Sequence, residues 1–228
     1  MHFERPLIPA RFRDRLNRFL GLVEVEGESR GCFIPNPGRL RGLLWAGAKV
    51  HLSERGLRGR KTGYDLILVE LGEGLVSVDS RMPNKVIGEA VESGLIPEFK
   101  GLHIKEREAH LQGSRLDFLL HGGGEYLFLE VKSCTLVEEG VALFPDAPTS
   151  RGERHMKTLI RALDFGRAAV LFLVQRGDAE VFRPNWGVDP RFSEALKTAV
   201  ERGVEAYAYT CEVSLSSIEL DRRLPMEF

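Results

Sequence analysis

Two units in series are predicted: a small β-barrel of the OB type over residues 1–82, then an α/β domain with a mixed sheet over residues 83–228. Three observations lead there. The first third breaks into about five short strand-like runs with Gly-containing turns between them, the pattern of a small closed barrel. From residue 126 onward strand and helix patterns alternate, which implies crossovers and a largely parallel stretch of sheet. Charge divides along the chain as well: residues 1–62 hold 13 Lys/Arg against 6 Asp/Glu, and the remainder holds 19 against 27. A basic first unit ahead of an acidic second one fits two parts with different tasks, although a solvated surface would also carry such charges.

The barrel strands are expected at Phe19 to Val25, Gly31 to Ile34, Lys49 to Leu52, Tyr64 to Leu71 and Leu75 to Asp79. Pro35-Asn36-Pro37-Gly38-Arg39-Leu40-Arg41 reads as a turn entering a short helix. Arg55, Arg58, Arg60 and Lys61 fall in a Gly-rich loop. In the second unit Asn84 is placed as the cap of a helix carrying Val86, Ile87, Ala90 and Val91, ended by Gly94. Ser114 to His121 and Tyr126 to Ser133 read as strands. Ser150 and Glu153 have the spacing of a capping box ahead of an apolar stripe at Met156, Leu159, Ile160 and Leu163. Ala168 to Val174 is a strand buried on both faces. Asp189-Pro190 opens a last helix, and Val204 to Tyr209 is a last strand.

Composition narrows the function classes. At 43% apolar and 29% charged residues the chain has the means to build cores, and no apolar run is long enough for a membrane span. The N-terminus lacks a signal-peptide core, so a cytoplasmic location with no membrane partner is expected. Cys32, Cys134 and Cys211 are too scattered to form a metal pair and read as reduced, buried thiols. No phosphate-binding Gly loop of recognised spacing precedes a helix, which ranks a nucleotide-handling enzyme last.

The chemistry concentrates in one hairpin. Gly122-Gly123-Gly124 separates Ser114–His121 from Tyr126–Ser133, and a two-residue turn at Gly123-Gly124 sets Asp117 opposite Glu130. Opposed residues in an antiparallel ladder share a face, roughly 5 Å apart. Lys132, two residues beyond Glu130, projects on the same side. Both faces of the hairpin are apolar, so two carboxylates there repel each other and lose hydration. A cation must compensate: either Arg115 or Lys132 in a structural network, or a metal ion. Mg²⁺, with Mn²⁺ as the substitute, suits a few carboxylates plus water, and beside a phosphodiester it promotes cleavage. Lys132 would position or deprotonate the attacking water, or stabilise developing charge.

Other candidates surround this pair. Glu106, Glu108 and Glu89 are further possible ligands. Asp146 lies at a turn after the second strand. Arg151 and His155 share a helix face near its start, where a phosphate would be favoured. Gln175 follows the buried strand and has two readings: it orients a ligand or water, or it merely ends the strand. On the barrel, Arg18, Arg39, Arg41, Arg58 and Lys61 are the expected nucleic-acid contacts; Phe33 and Trp45 have two readings, stacking platform or core, and core is the commoner for aromatics, so neither is counted as a contact.

Several of these segments occur together in a recognisable order: Arg18 with Phe19, Pro35-Asn36-Pro37-Gly38-Arg39, Ser114-Arg115-Leu116-Asp117-Phe118, Glu130-Val131-Lys132-Ser133, Phe144-Pro145-Asp146-Ala147, Arg151-Gly152-Glu153-Arg154-His155, Asp189-Pro190-Arg191-Phe192 and Gly203-Val204-Glu205. Over almost the whole chain this set resembles the sugar fermentation stimulation protein family. The resemblance implies a DNA-binding protein, with an OB-type barrel followed by a restriction-endonuclease-like α/β domain. It also implies a link to the regulation of sugar, particularly maltose, metabolism. By the same resemblance Asp117 and Glu130 are metal ligands and Lys132 is the catalytic lysine. The family's stretch before Asn-x-Gly-Arg often carries histidine and cysteine; here it reads Phe33-Ile34-Pro35, and no chemical role is assigned to it. Two functions are expected to compete: a metal-dependent nuclease acting on DNA more than RNA, and a DNA-binding regulator with a vestigial acidic site.

Overall fold

The computed structural model describes residues 1–228. The first unit holds β1 (Ile8–Asn17), β2 (Leu20–Val25), β3 (Glu28–Phe33), β4 (Lys49–Glu54), β5 (Tyr64–Leu71) and β6 (Gly74–Ser77). These pair in the order β3-β2-β1-β4-β5-β6, and β3 pairs a second time, with β5, through Cys32–Tyr64 and Phe33–Asp65. That pairing closes five strands into a barrel around Phe12, Val23, Ile34, Leu52, Leu66 and their neighbours. Sequence reasoning misses β1. Four of its ten residues are charged, and only Phe12 is buried, so the strand has no apolar alternation to betray it. The short helix expected after Pro37 does not form. Leu40 and Gly42 both take left-handed backbone angles (φ +51° and +71°), which no α-helix accommodates.

The second unit runs α1 (Met82–Glu92), β7 (His103–Leu111), β8 (Ser114–Gly122), β9 (Glu125–Cys134), β10 (Val137–Glu138), β11 (Val141–Phe144), α2 (Ser150–Ala162), β12 (Arg167–Val174), β13 (Val181–Pro184), α3 (Pro190–Glu201), β14 (Glu205–Val213) and β15 (Ile218–Leu224). Its main sheet has the order β15-β14-β12-β9-β8-β7. β9, β12 and β14 are parallel, and the outer strands are antiparallel, so the sheet is mixed as expected. β12 lies at the centre and is buried almost throughout. Met156, Leu159, Phe192 and Leu196 of α2 and α3 cover one face; Val86, Ile87 and Val91 of α1 cover the other. A three-stranded sheet, β10-β11-β13, lies beside them. β7 and β15 escape prediction because as edge strands they carry mostly exposed polar residues. No helix is long and apolar enough to cross a membrane.

Local signals hold with two corrections. Asn84 does not cap α1; Arg81 occupies that position, and Asn84 lies inside the first turn. The cap of α2 is Thr149, whose hydroxyl accepts the Gly152 N–H at 3.0 Å, one residue before the expected Ser150. Asp189 does cap α3, accepting the Phe192 N–H at 3.0 Å. Its other oxygen accepts the Thr149 N–H at 2.7 Å, so one carboxylate fixes the starts of both helices.

The two units meet through polar contacts. Buried Gln175 accepts from the Ser77 hydroxyl at 3.0 Å and donates to the Ser133 hydroxyl at 2.9 Å; its carbonyl also accepts the Ser77 N–H. Asp146 accepts the Arg39 N–H at 2.9 Å. Gly38 is required at this junction, since a Cβ there would stand 2.7 Å from the Asp146 carboxylate. Arg15 holds the same loop, donating to the carbonyls of Asn36, Gly38 and Arg39.

Asp189→Ala removes the cap of α3 and the acceptor that holds Thr149, the cap of α2, and we expect a loss of about 2 kcal/mol or more in urea unfolding; an unchanged midpoint would contradict this double role. All three thiols are buried, and burial pushes those of Cys32 and Cys134 up to about 12. A raised thiol pKa leaves almost no thiolate at pH 8. Native protein should therefore react slowly with a disulfide thiol reagent at that pH and release three equivalents once unfolded. Fast labelling of any native cysteine would refute this.

Candidate metal centre

The β8–β9 hairpin forms in the expected register. Gly123 and Gly124 supply the two positive φ angles (+59° and +85°) of its tight turn, and Phe118 pairs with Leu129. The ladder stops there. Asp117 does not continue it as a simple side-by-side partner of Glu130. Its Oδ2 accepts the Val131 N–H at 2.8 Å, taking the place of a backbone carbonyl, and its Oδ1 accepts from the Asn84 amide at 2.7 Å. The missed cap thus orients Asp117: Asn84 reaches from α1 to fix it at the point where β8 leaves β9.

Glu130 points toward α2 and is 2% exposed. Its Oε1 receives the Lys132 ammonium at 2.5 Å and is also hydrogen-bonded to Nδ1 of His155, itself buried. Arg151 Nε donates to His155 Nε2 at 3.3 Å. Lys132 Nζ also lies 3.1 Å from His155 Nδ1, so Glu130, Lys132 and His155 form one closed set of polar contacts. Two donors therefore crowd one carboxylate oxygen. The other, Oε2, is buried with no partner.

The electrostatics follow from these contacts. Burial, and after it the Glu130 charge, holds the Asp117 carboxyl above its ordinary range; the Val131 and Asn84 hydrogen bonds oppose this only in part. Burial pushes Glu130 upward too, but Lys132 and His155 outweigh it, and the carboxyl lies below its usual range. Glu130 is thus a buried anion with one unsatisfied oxygen beside a second acid that resists ionisation. Leaving such an oxygen bare costs on the order of 1–3 kcal/mol or more.

This donor set fits a hard divalent cation. Glu130 Oε2 and Asp117 would hold it, with water completing the shell as Mg²⁺ prefers. Asp117 and Glu130 are a pair only: no three His, Cys, Asp or Glu side chains converge to hold a metal here or elsewhere in the chain.

The remaining expected residues fall in different places. Glu89 pairs with the N-terminal amine at 3.0 Å. Glu108 pairs with Arg115 at 3.3 Å on the β7–β8 hairpin, and Glu106 is exposed on β7. Neither Glu89 nor Glu108 joins the acid pair; each is paired with a cation at the surface. Arg115 is thereby engaged away from the acids, so Lys132 alone of the two expected cations neutralises them. Asp146 and Gln175 are engaged at the junction between units. Arg151 and His155 do reach the pair, through Glu130. Arg18, Arg39, Arg41, Arg58 and Lys61 are all exposed on the barrel unit, with Trp45 exposed and Phe33 half-buried. Sequence reasoning misses Asn84, Arg15 and Arg81. Arg81 binds both Asp65 and Asp79, two buried acids whose isolation among apolar residues was the available signal.

Comparison with known proteins agrees with this architecture. Residues 14–78 match the model for the SfsA N-terminal OB domain, and residues 81–217 match the sugar fermentation stimulation protein RE domain. A sugar fermentation stimulation protein homolog of Caldanaerobacter subterraneus subsp. tengcongensis is 44% identical over 225 residues, 98% of each chain. The homolog of Moorella thermoacetica is also 44% identical, over 94% of each chain. The solved structure of Pyrococcus furiosus SfsA in complex with Ca²⁺ superposes with a TM-score of 0.92 at 34% identity, covering 100% of this chain and 98% of that one. The chain belongs to the sugar fermentation stimulation protein family.

Proposed function

We propose that this protein binds DNA and cuts phosphodiester bonds with the help of Mg²⁺ or Mn²⁺ held by Asp117 and Glu130. The observation that carries this reading is the bare, buried Oε2 of Glu130 beside Asp117 and Lys132. The Ca²⁺ complex of the P. furiosus relative supports it, since Ca²⁺ and Mg²⁺ share a preference for carboxylate oxygens. A bound ion would polarise the scissile phosphate and acidify water beside it. The chain's own groups do the rest. Asn84 and the Val131 amide fix Asp117, His155 keeps Glu130 turned so that Oε2 stays free, and Lys132 offers an ammonium to the charge that builds on the phosphate. The basic barrel unit would hold the substrate, through Arg18, Arg39, Arg41, Arg58 and Lys61 on its surface. The family's name carries the link to sugar metabolism, and DNA rather than RNA is the assigned partner.

One observation favours a second reading, a DNA-binding regulator that does not cut. Lys132 is already bonded to Glu130 at 2.5 Å, a self-contained ion pair that would stand without a metal. Cleavage separates the two. Labelled single- and double-stranded DNA and RNA are incubated with Mg²⁺ or Mn²⁺ beside Asp117→Asn. We expect metal-dependent cleavage by the wild type and none by the variant. DNA binding without cleavage by the wild type would establish the regulator instead, and cleavage by Asp117→Asn at the wild-type rate would refute the site. His155→Leu is expected to cut roughly 10- to 100-fold more slowly, because the group orienting a ligand is lost; an unchanged rate would show that Glu130 needs no such support.

A further inference from the structure

Phe19 follows β1 and Phe33 ends β3, and their rings lie nearly parallel, 23° apart in plane with centroids 6.0 Å apart. Phe19 is 43% exposed. The pair lines an open groove of about 510 Å³ whose other wall carries Arg60, Lys61 and Thr62. Arg60 is anchored by its ion pair with Asp65, while Lys61 is exposed. At the Phe33 end the Arg81 guanidinium lies over the ring, 5.9 Å from its centroid. Arg81 is also the cap of α1, and one turn further along that helix Asn84 holds Asp117. Arg81 thus stands between the ring of Phe33 and the helical turn that carries Asn84.

Flat ring faces beside cations match one kind of ligand closely. Unpaired bases stack on the rings while their phosphates meet the basic wall, and a duplex hides those base faces. We propose that this groove binds single-stranded DNA. The proposal rests on the DNA-binding reading above and adds the form of the substrate and the place of its first contact.

Binding is read on the full chain without divalent metal, so that cleavage does not enter. The probes are fluorescent oligo(dT), a duplex of the same length and oligo(U), at fixed salt. We expect oligo(dT) to bind at least about tenfold tighter than the duplex, and Phe19→Ala to weaken oligo(dT) by roughly tenfold while leaving the duplex unchanged. Lys61→Ala is expected to weaken oligo(dT) and flatten its salt dependence by about one phosphate contact. Thermal melts verify that both variants fold. Equal or tighter duplex binding, or an unaltered Phe19→Ala, overturns the groove. A preference for oligo(U) overturns the assignment to DNA. A protein that cuts in Mg²⁺ while Phe19→Ala binds normally refutes the groove alone; one that never cuts but loses oligo(dT) with Phe19→Ala keeps the groove and loses the nuclease.

Discussion

Glu130 is an anion that the fold has taken out of water and supplied with donors on one oxygen only. Lys132 and His155 both address Oε1. Oε2 is left with nothing, in a place where an unmet charged acceptor is costly. Much of the second unit is arranged around that imbalance. β12 pairs with β9 along its length and holds Glu130 and Lys132 in register; α2 delivers His155; and Arg151 donates to the far nitrogen of that ring. Asp117 comes from the other side of the gap, freed from the ladder so that its carboxylate can cap the Val131 amide.

The first unit is tied to this centre by specific polar contacts rather than by a shared apolar core. Gln175, at the end of the central strand, spans Ser77 of the barrel and Ser133, the neighbour of Lys132. Asp146 receives the amide of Arg39 where Gly38 leaves no room for a side chain. Arg81 links the buried barrel acids to the start of the helix that carries Asn84.

Most of this architecture is legible in the sequence where burial leaves a periodic trace. The Gly-tipped hairpin, the uniformly apolar β12 and the Asp189-Pro190 helix start all declare themselves, because each follows from local turn or capping chemistry. β1, β7 and β15 do not, since their charged residues face solvent and their apolar residues are too few to alternate. The site is half legible. Strand register brings Glu130 and Lys132 to one side and Asp117 near them, but it does not show the departure of Asp117 from the ladder to accept the Val131 N–H. Asn84 looks like a cap because a polar residue ahead of an apolar helical stripe is usually one; only tertiary structure shows its amide spent on Asp117. His155 reads as a phosphate contact from its helix face, whereas in three dimensions it serves Glu130. Glu89 and Glu108 are carboxylates near the site in sequence, each with a cation of its own in space.

The central claim concerns Oε2, and ion binding addresses it more directly than any activity. Mn²⁺ is titrated into wild-type protein and into Glu130→Gln, with bound ion followed by electron paramagnetic resonance and folding by circular dichroism. The account predicts a bound ion in the wild type and its loss in a folded variant. Equal Mn²⁺ affinity in both would contradict it.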